Sequence, residues 1–247
     1  MRKLVPLLLS LTLATAAQAG EVQVAVAANF AGPIAKIGEA FTATTGHLLK
    51  VSTGSTGKFY TQIVSGAPFE VLVAADDGTP RKLIAENHAV AGTQFTYAIG
   101  KLVLWSGQAG LVDSQGAVLT SDKVKHVAIA NPKVAPYGAA ALELIKARGL
   151  SDALTPKLVT AESIAQAYQF AATGNAEVGF VALSQVAVPG RPAVGSYWLV
   201  PQNLYGEIRQ DAVLLKPGEK NPAARALLDF LRGDAARQTI RDYGYGL

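Results

Sequence analysis

The feature that most constrains this chain is a repeated alternation of short apolar runs with amphipathic segments of helix length. Val22-Gln23-Val24-Ala25-Val26 reads as a buried strand. Ile34, Ile37 and Phe41 follow at helical spacing, with Pro33 near the first turn and Gly46 just past the end. A second strand over 48–51 ends in Ser52-Thr53-Gly54-Ser55-Thr56-Gly57, and Phe59, Ile63 and Val64 then mark a helix running to Gly66. A third strand spans 69–75, and Asp76-Asp77-Gly78-Thr79-Pro80 turns into a helix through Leu83 and Ile84. The unit recurs as a strand over 127–130, a helix over 139–148, a strand at 158–160, a helix over 162–172 and a strand over 178–182. The stretch from Pro222 to Tyr243 is helical. Such alternation predicts an α/β fold with mostly parallel sheets flanked by helices.

Two extended stretches interrupt the pattern. Thr96 to Trp105 runs around Gly100, and Tyr197 to Val213 contains Pro201 and Gly206. Taken as crossings between two lobes, they divide the chain into 20–98 with 206–247 as one lobe and 99–205 as the other. At 247 residues the chain can also form one large doubly wound domain. Pattern alone leaves both arrangements open.

Residues 1–19 read as an export signal. Arg2 and Lys3 precede an apolar stretch from Leu4 to Ala14, and Ala17-Gln18-Ala19 is a small-residue cleavage site, so cleavage is expected after Ala19. The apolar run is shorter than the ~20 residues that span a bilayer. With no Cys after it, no lipoprotein anchor is expected at that position. A soluble, exported protein is the expectation.

Composition then removes whole classes of chemistry. Half of the residues are hydrophobic and 16% are charged, which excludes intrinsic disorder. A net charge of +4 is a weak field without long charge runs, so nucleic acid is not an expected partner. With no Cys, thiolate metal sites, disulfides and Cys nucleophiles are excluded. His47, His88 and His126 stand alone, without metal-site spacing, and no GxSxG elbow is present. Asp76 and Asp77 are expected to cap the helix at Thr79 rather than to form a cation site or a catalytic pair. An exported hydrolase using Asp76 or a lone His is the competing enzyme reading.

Gly54-Ser55-Thr56-Gly57-Lys58 resembles a P-loop but lacks the required spacing, and Phe59 stands where Ser or Thr would hold magnesium. It remains a strand-to-helix loop with backbone N–H groups, two hydroxyls and a helix N-terminus, which suits an anion. Ala27-Ala28-Asn29, Asn131 to Gly138 with Tyr137, and Thr160 to Ile164 are related loops. In parallel α/β sheets such loops gather at the carboxyl ends of the strands, where ligands bind. Apart from Lys58 and Lys133 they carry no cation, so neutral dipoles would hold the anion. An organic carboxylate usually calls for an Arg clamp, and Arg81, Arg148 and Arg191 lie outside these loops.

The segments AVAANF (25–30), STGSTGKFYTQIVSGAPFEVLVAAD (52–76), ANPKVAPYG (130–138), TAESIAQA (160–167) and EVGFVALSQV (177–186), with the C-terminal GYG, carry a resemblance. Together they are similar to the periplasmic molybdate-binding proteins of molybdenum ABC uptake systems. The resemblance implies a two-lobed type II periplasmic-binding-protein fold that closes on molybdate or tungstate and delivers it to an inner-membrane ABC permease. It implies no catalysis, no cofactor and no cation-ligating residues, since molybdenum is bound as its oxyanion. Sulfate, another tetrahedral oxyanion, is the alternative ligand. By position, the resemblance implies Asn29, Thr56, Tyr137 and Ile164 as ligands, with Ala28 and Ser55 as second choices. Asn29, Thr56 and Tyr137 are expected to give side-chain bonds, and Thr56 and Ile164 backbone bonds. Some members carry a ligand Tyr where this chain has Ala182, and Tyr137 is expected to supply a phenol instead.

Overall fold

A computed structural model describes residues 19–247. The expected export signal, except Ala19, lies outside the described residues. In chain order the strands are β1 (Glu21–Ala27), β2 (Leu48–Gly54), β3 (Val71–Val73), β4 (Phe95–Gly100), β5 (Leu102–Ser106), β6 (Val127–Ala130), β7 (Leu158–Ala161), β8 (Val178–Ala182), β9 (Ser196–Leu199) and β10 (Ile208–Leu214). The α-helices are α1 (Ala31–Thr45), α2 (Thr56–Val64), α3 (Gly78–Ala85), α4 (Pro136–Ala147), α5 (Ser151–Leu154), α6 (Ile164–Ala172), α7 (Leu183–Val186), α8 (Pro222–Arg232) and α9 (Asp234–Asp242).

Among the described residues the strands form two five-stranded sheets, ordered β2-β1-β3-β10-β4 and β7-β6-β8-β5-β9. In the first, β1 pairs parallel with β2 and β3, while β10 lies antiparallel between β3 and β4. In the second, β6 pairs parallel with β7 and β8, while β5 lies antiparallel between β8 and β9. Each sheet therefore has one reversed strand among four that share a direction. This is a two-lobed α/β architecture, one of the two arrangements that the pattern leaves open.

Both faces of each sheet are covered, which explains the continuous apolar runs of the inner strands. Val22, Val24 and Val26 point to one side of β1 and pack with Ile34, Ile37 and Phe41 of α1 and with the C-terminal helices α8 and α9. Ala25 points to the other side, where Leu72 and Val213 meet Phe59, Ile63 and Leu83 of α2 and α3. In the second sheet Leu102, Leu104, Ile129 and Phe180 share a core with Leu144 of α4. Helix α1 ends at Gly46, whose φ of 75° closes the last turn in a conformation that favours glycine.

The chain crosses between sheets twice. Ile99 and Gly100 still pair with Arg209 and Ile208 in the first sheet, and Leu102 already pairs with Ala182 in the second. Lys101 alone separates them. The return path runs from Leu199 at the end of β9 to Ile208 at the start of β10, and α8 and α9 then complete the first lobe.

Two of the differences from the sequence expectation bear on the site. The third strand pairs only over Val71–Val73, because Phe69 turns to stack edge-on against Phe59 and Ala75 donates its N–H to the Thr56 side chain. Helix α4 starts at Pro136 rather than Ala139, with proline at the first helical position, where its missing N–H costs nothing. Tyr137 and Gly138 thus sit in a first helical turn instead of a loop.

Candidate oxyanion site between the lobes

The carboxyl ends of β1, β2, β3 and β6, with the start of α6, line a small cavity between the sheets. It is lined by Ala27, Ala28 and Asn29 after β1, Gly54, Ser55 and Thr56 after β2, Ala75 after β3, Ala135, Pro136 and Tyr137 after β6, and Ile164. All six positions implied by the resemblance therefore lie on one cavity, and all six are buried. Ala27, Ala28 and Ala75 of the first lobe also pack into the core cluster of the second, so the two lobes are closed on each other.

Three helices begin at this cavity. The first-turn N–H groups of a helix lack intrahelical partners and sit at the positive end of its dipole. Gly57 uses its N–H on the Val134 carbonyl of the other lobe at 2.9 Å. The Cβ of any larger residue at 57 would lie 2.9 Å from the Val134 Cα, so glycine permits this close approach. In α4, Pro136 has no N–H and Gly138 turns its own to Ala135 at 2.9 Å, which leaves Tyr137 as the first-turn donor at the cavity. In α6, the Ser163 hydroxyl caps Gln166 at 3.3 Å and Ile164 carries the first helical N–H.

The side chains divide differently from the expectation. Ser55 Oγ is buried without any hydrogen-bond partner, alone in this among the described buried side-chain polar atoms. A buried hydroxyl left unpaired is costly, so an orphan on a cavity wall marks a place for a ligand. Thr56 Oγ1 instead accepts the Ala75 N–H at 3.0 Å. Asn29 spends both side-chain N–H groups inside the protein, on Gln210 Oε1 at 2.8 Å and the Tyr245 hydroxyl at 3.0 Å. The Tyr137 hydroxyl accepts from Gln210 Nε2 at 3.0 Å. Asn29 is thus oriented by a buried network, and its backbone rather than its amide faces the cavity wall.

That network also contains Tyr97 and Ser184. The Tyr97 hydroxyl shares its proton between the Ala74 carbonyl at 2.9 Å and Gln210 Oε1 at 3.0 Å, and Ser184 and Tyr245 both donate to the Asn29 carbonyl at 2.8 Å. Burial raises the phenols of Tyr97 and Tyr137 well above their ordinary value and that of Tyr245 to about 12, so all three stay protonated. Ser184 and Tyr245 lie in the sequence segments that carry the resemblance. Gln210 and Tyr97 were not found from sequence, since a lone Gln or Tyr within a strand has no motif to mark it.

No charged side chain lines the cavity among the described residues. At its edge Lys58 Nζ meets Glu162 Oε2 across the lobes at 2.6 Å, an exposed pair that lowers the glutamate's pKa. Asp76 accepts from the Thr79 N–H at 2.6 Å and from the Thr79 hydroxyl at 3.1 Å, so it serves the start of α3. Burial raises its pKa. His47 Nδ1 accepts the Gly20 N–H at 3.0 Å, and His126 faces Glu177 at 3.7 Å; no histidine reaches the cavity.

Known proteins place this geometry in context. The family model for bacterial extracellular solute-binding proteins matches residues 22–246. The chain is 60% identical over 235 residues to the molybdate-binding protein ModA of Azotobacter vinelandii, covering 95% of this chain and 93% of that protein. It is 56% identical over 239 residues to ModA of Rhodobacter capsulatus, covering 97% and 93%. The solved structure of the Azotobacter vinelandii periplasmic molybdate-binding protein superposes with a TM-score of 0.89 at 42% identity, covering 92% of this chain and 99% of that one. The chain belongs to the bacterial extracellular solute-binding proteins, in the group of the periplasmic molybdate-binding proteins.

Proposed function

We propose that this protein binds molybdate, and tungstate alike, in the cleft between its lobes and delivers it to an ABC importer of the inner membrane. The observation that carries the reading is the Ser55 hydroxyl, buried and unpartnered on the wall of the interlobe cavity where three helices begin. A tetrahedral oxyanion offers acceptors in every direction, which suits this set of convergent neutral donors. We assign Ser55 Oγ as a side-chain donor, the N–H groups of Tyr137 and Ile164 as donors from the second lobe, and the Ala28-Asn29 and Thr56 backbone as their counterparts from the first. Each hydrogen bond to a charged acceptor contributes roughly 1.5–3 kcal/mol. The lobes are drawn with their first boundary at Lys101 and their second between Leu199 and Ile208. Export through residues 1–19, a periplasmic location, action as a monomer and transient docking on the permease complete the proposal, and none of these steps is catalytic.

Selection against sulfate and phosphate follows from size, since both are smaller, and for phosphate also from the proton it carries near neutral pH, for which the cavity provides donors rather than acceptors. Calorimetric titration of the purified protein with molybdate, tungstate, sulfate and phosphate tests the reading. Tight 1:1 binding of the first two and weak or no binding of the others is expected. Sulfate bound as tightly as molybdate overturns it.

A further inference from the structure

We infer that Gln210 is a positioning residue for oxyanion binding, because its buried amide joins Asn29 of one lobe to Tyr137 of the other and so prolongs closure of the cleft. The inference deepens the proposed function and rests on it. Gln210 lies in β10, just past the second crossing, and is fully buried. Gln210 does not itself line the cavity but bonds to two residues that do. A buried amide is retained at little cost only when its polar atoms are paired, and this one is paired on both ends. Its oxygen takes the Asn29 Nδ2 proton at 2.8 Å and the Tyr97 hydroxyl at 3.0 Å, both within the first lobe. Its nitrogen donates to the Tyr137 hydroxyl of the second lobe at 3.0 Å.

The surroundings are shaped for this contact. Gly100, the last residue of β4 before the first crossing, lies against it. A Cβ at position 100 would collide with the Tyr137 hydroxyl and come within 2.5 Å of Gln210 Nε2. The pairing of β10 with β4 shifts register between Gln210 and Asp211, a bulge that changes the direction of the side chain. Asn29 and Tyr137 each line the cavity wall, one from each lobe, and each is reached by the same amide. In an opened cleft Gln210 keeps Asn29 and Tyr97 and loses Tyr137. Its bond across the lobes therefore favours the closed form, and the anion leaves only from the open one. The effect falls on release rather than on capture.

The test is a double-mutant cycle on Gln210→Met and Tyr137→Phe, with molybdate association and dissociation followed by stopped flow and ligand-free unfolding measured in parallel. Gln210→Met should release molybdate about tenfold faster with association changed by less than about threefold. The double variant should release little faster than the faster single variant, because both remove the same bond. In ligand-free unfolding the two substitutions should be additive. Gly100→Ala supplies a second route, since it separates the two partners without altering either, and it should speed release similarly. Release unchanged in both Gln210→Met and Gly100→Ala, multiplicative effects in the double variant, or coupling equally large without ligand overturns the inference. A wild-type protein that does not bind molybdate overturns the proposed function instead, and that control separates the two failures.

Discussion

In both lobes a serine stands at the N-cap of a helix that opens onto the cleft, with extended backbone in each case: Ser55 before α2 and Ser163 before α6. Ser163 does what an N-cap serine ordinarily does and accepts the Gln166 N–H at 3.3 Å. Ser55 makes no cap bond, and its Oγ is left without a partner. The two sheets around them share one strand order, with a reversed strand beside three parallel ones. The lobes thus repeat a topology and divide the chemistry. The first offers an unpartnered hydroxyl beside the start of α2, whereas the second offers two helix starts, those of α4 and α6. A local capping bond is forgone where a ligand can take its place.

Substitutions can break that division in order of size. The largest effect is expected at Gly138, where a Cβ would collide with the Ala130 carbonyl oxygen and lie 2.8 Å from its carbon. Because backbone cannot yield as a side chain can, Gly138→Ala should cost about 3 kcal/mol of stability in urea unfolding and displace the start of α4, abolishing binding. Next comes the serine pair. Ser55→Ala should weaken molybdate binding by about 1.5–3 kcal/mol in calorimetry while leaving ligand-free stability nearly unchanged. Ser163→Ala should do the reverse, costing about 1 kcal/mol of stability with a smaller loss of affinity. Equal affinity losses at the two serines would erase the distinction between them.

Two smaller effects concern charge. Tyr245 is buried with its phenol raised to about 12 from 10.0. The unfolded chain ionises first, so it binds fewer protons than the native one, and stability should fall as pH rises from near 10 toward 12. Tyr245→Phe should blunt that slope in alkaline unfolding curves. The smallest effect belongs to Lys58 and Glu162, an exposed pair that screening weakens. Lys58→Gln should slightly speed release at low salt and make no difference at high salt. In the wild type the pair is fully present above the ordinary carboxylate range and is lost as pH falls through the lowered pKa of Glu162.

Much of the scaffold is legible in the sequence. The strands Val127–Ala130 and Val178–Ala182 end where their apolar runs end, because both are inner strands covered on two faces. The four cavity loops are also legible, as small-residue breaks between a strand and a helix. What each hydroxyl or amide touches is not. Ser55 and Thr56 are adjacent and chemically alike, yet one is an orphan and the other holds the Ala75 N–H, a contact made across 19 residues. Asn29 looks like a ligand amide until Gln210, 181 residues away, takes its proton. Those assignments depend on long-range pairing that no local pattern encodes.

On the proposed function, a tetrahedral oxyanion fills the cavity by meeting the orphaned Ser55 hydroxyl and the helix starts of the other lobe. A crystal structure with molybdate, using the anomalous signal of molybdenum, tests it most directly. One molybdenum peak is expected in the cavity, with its oxygens about 2.7–2.9 Å from Ser55 Oγ and from the Tyr137 and Ile164 backbone nitrogens. Molybdenum bound elsewhere, or bound in the cavity with Ser55 Oγ still unpartnered, would contradict it.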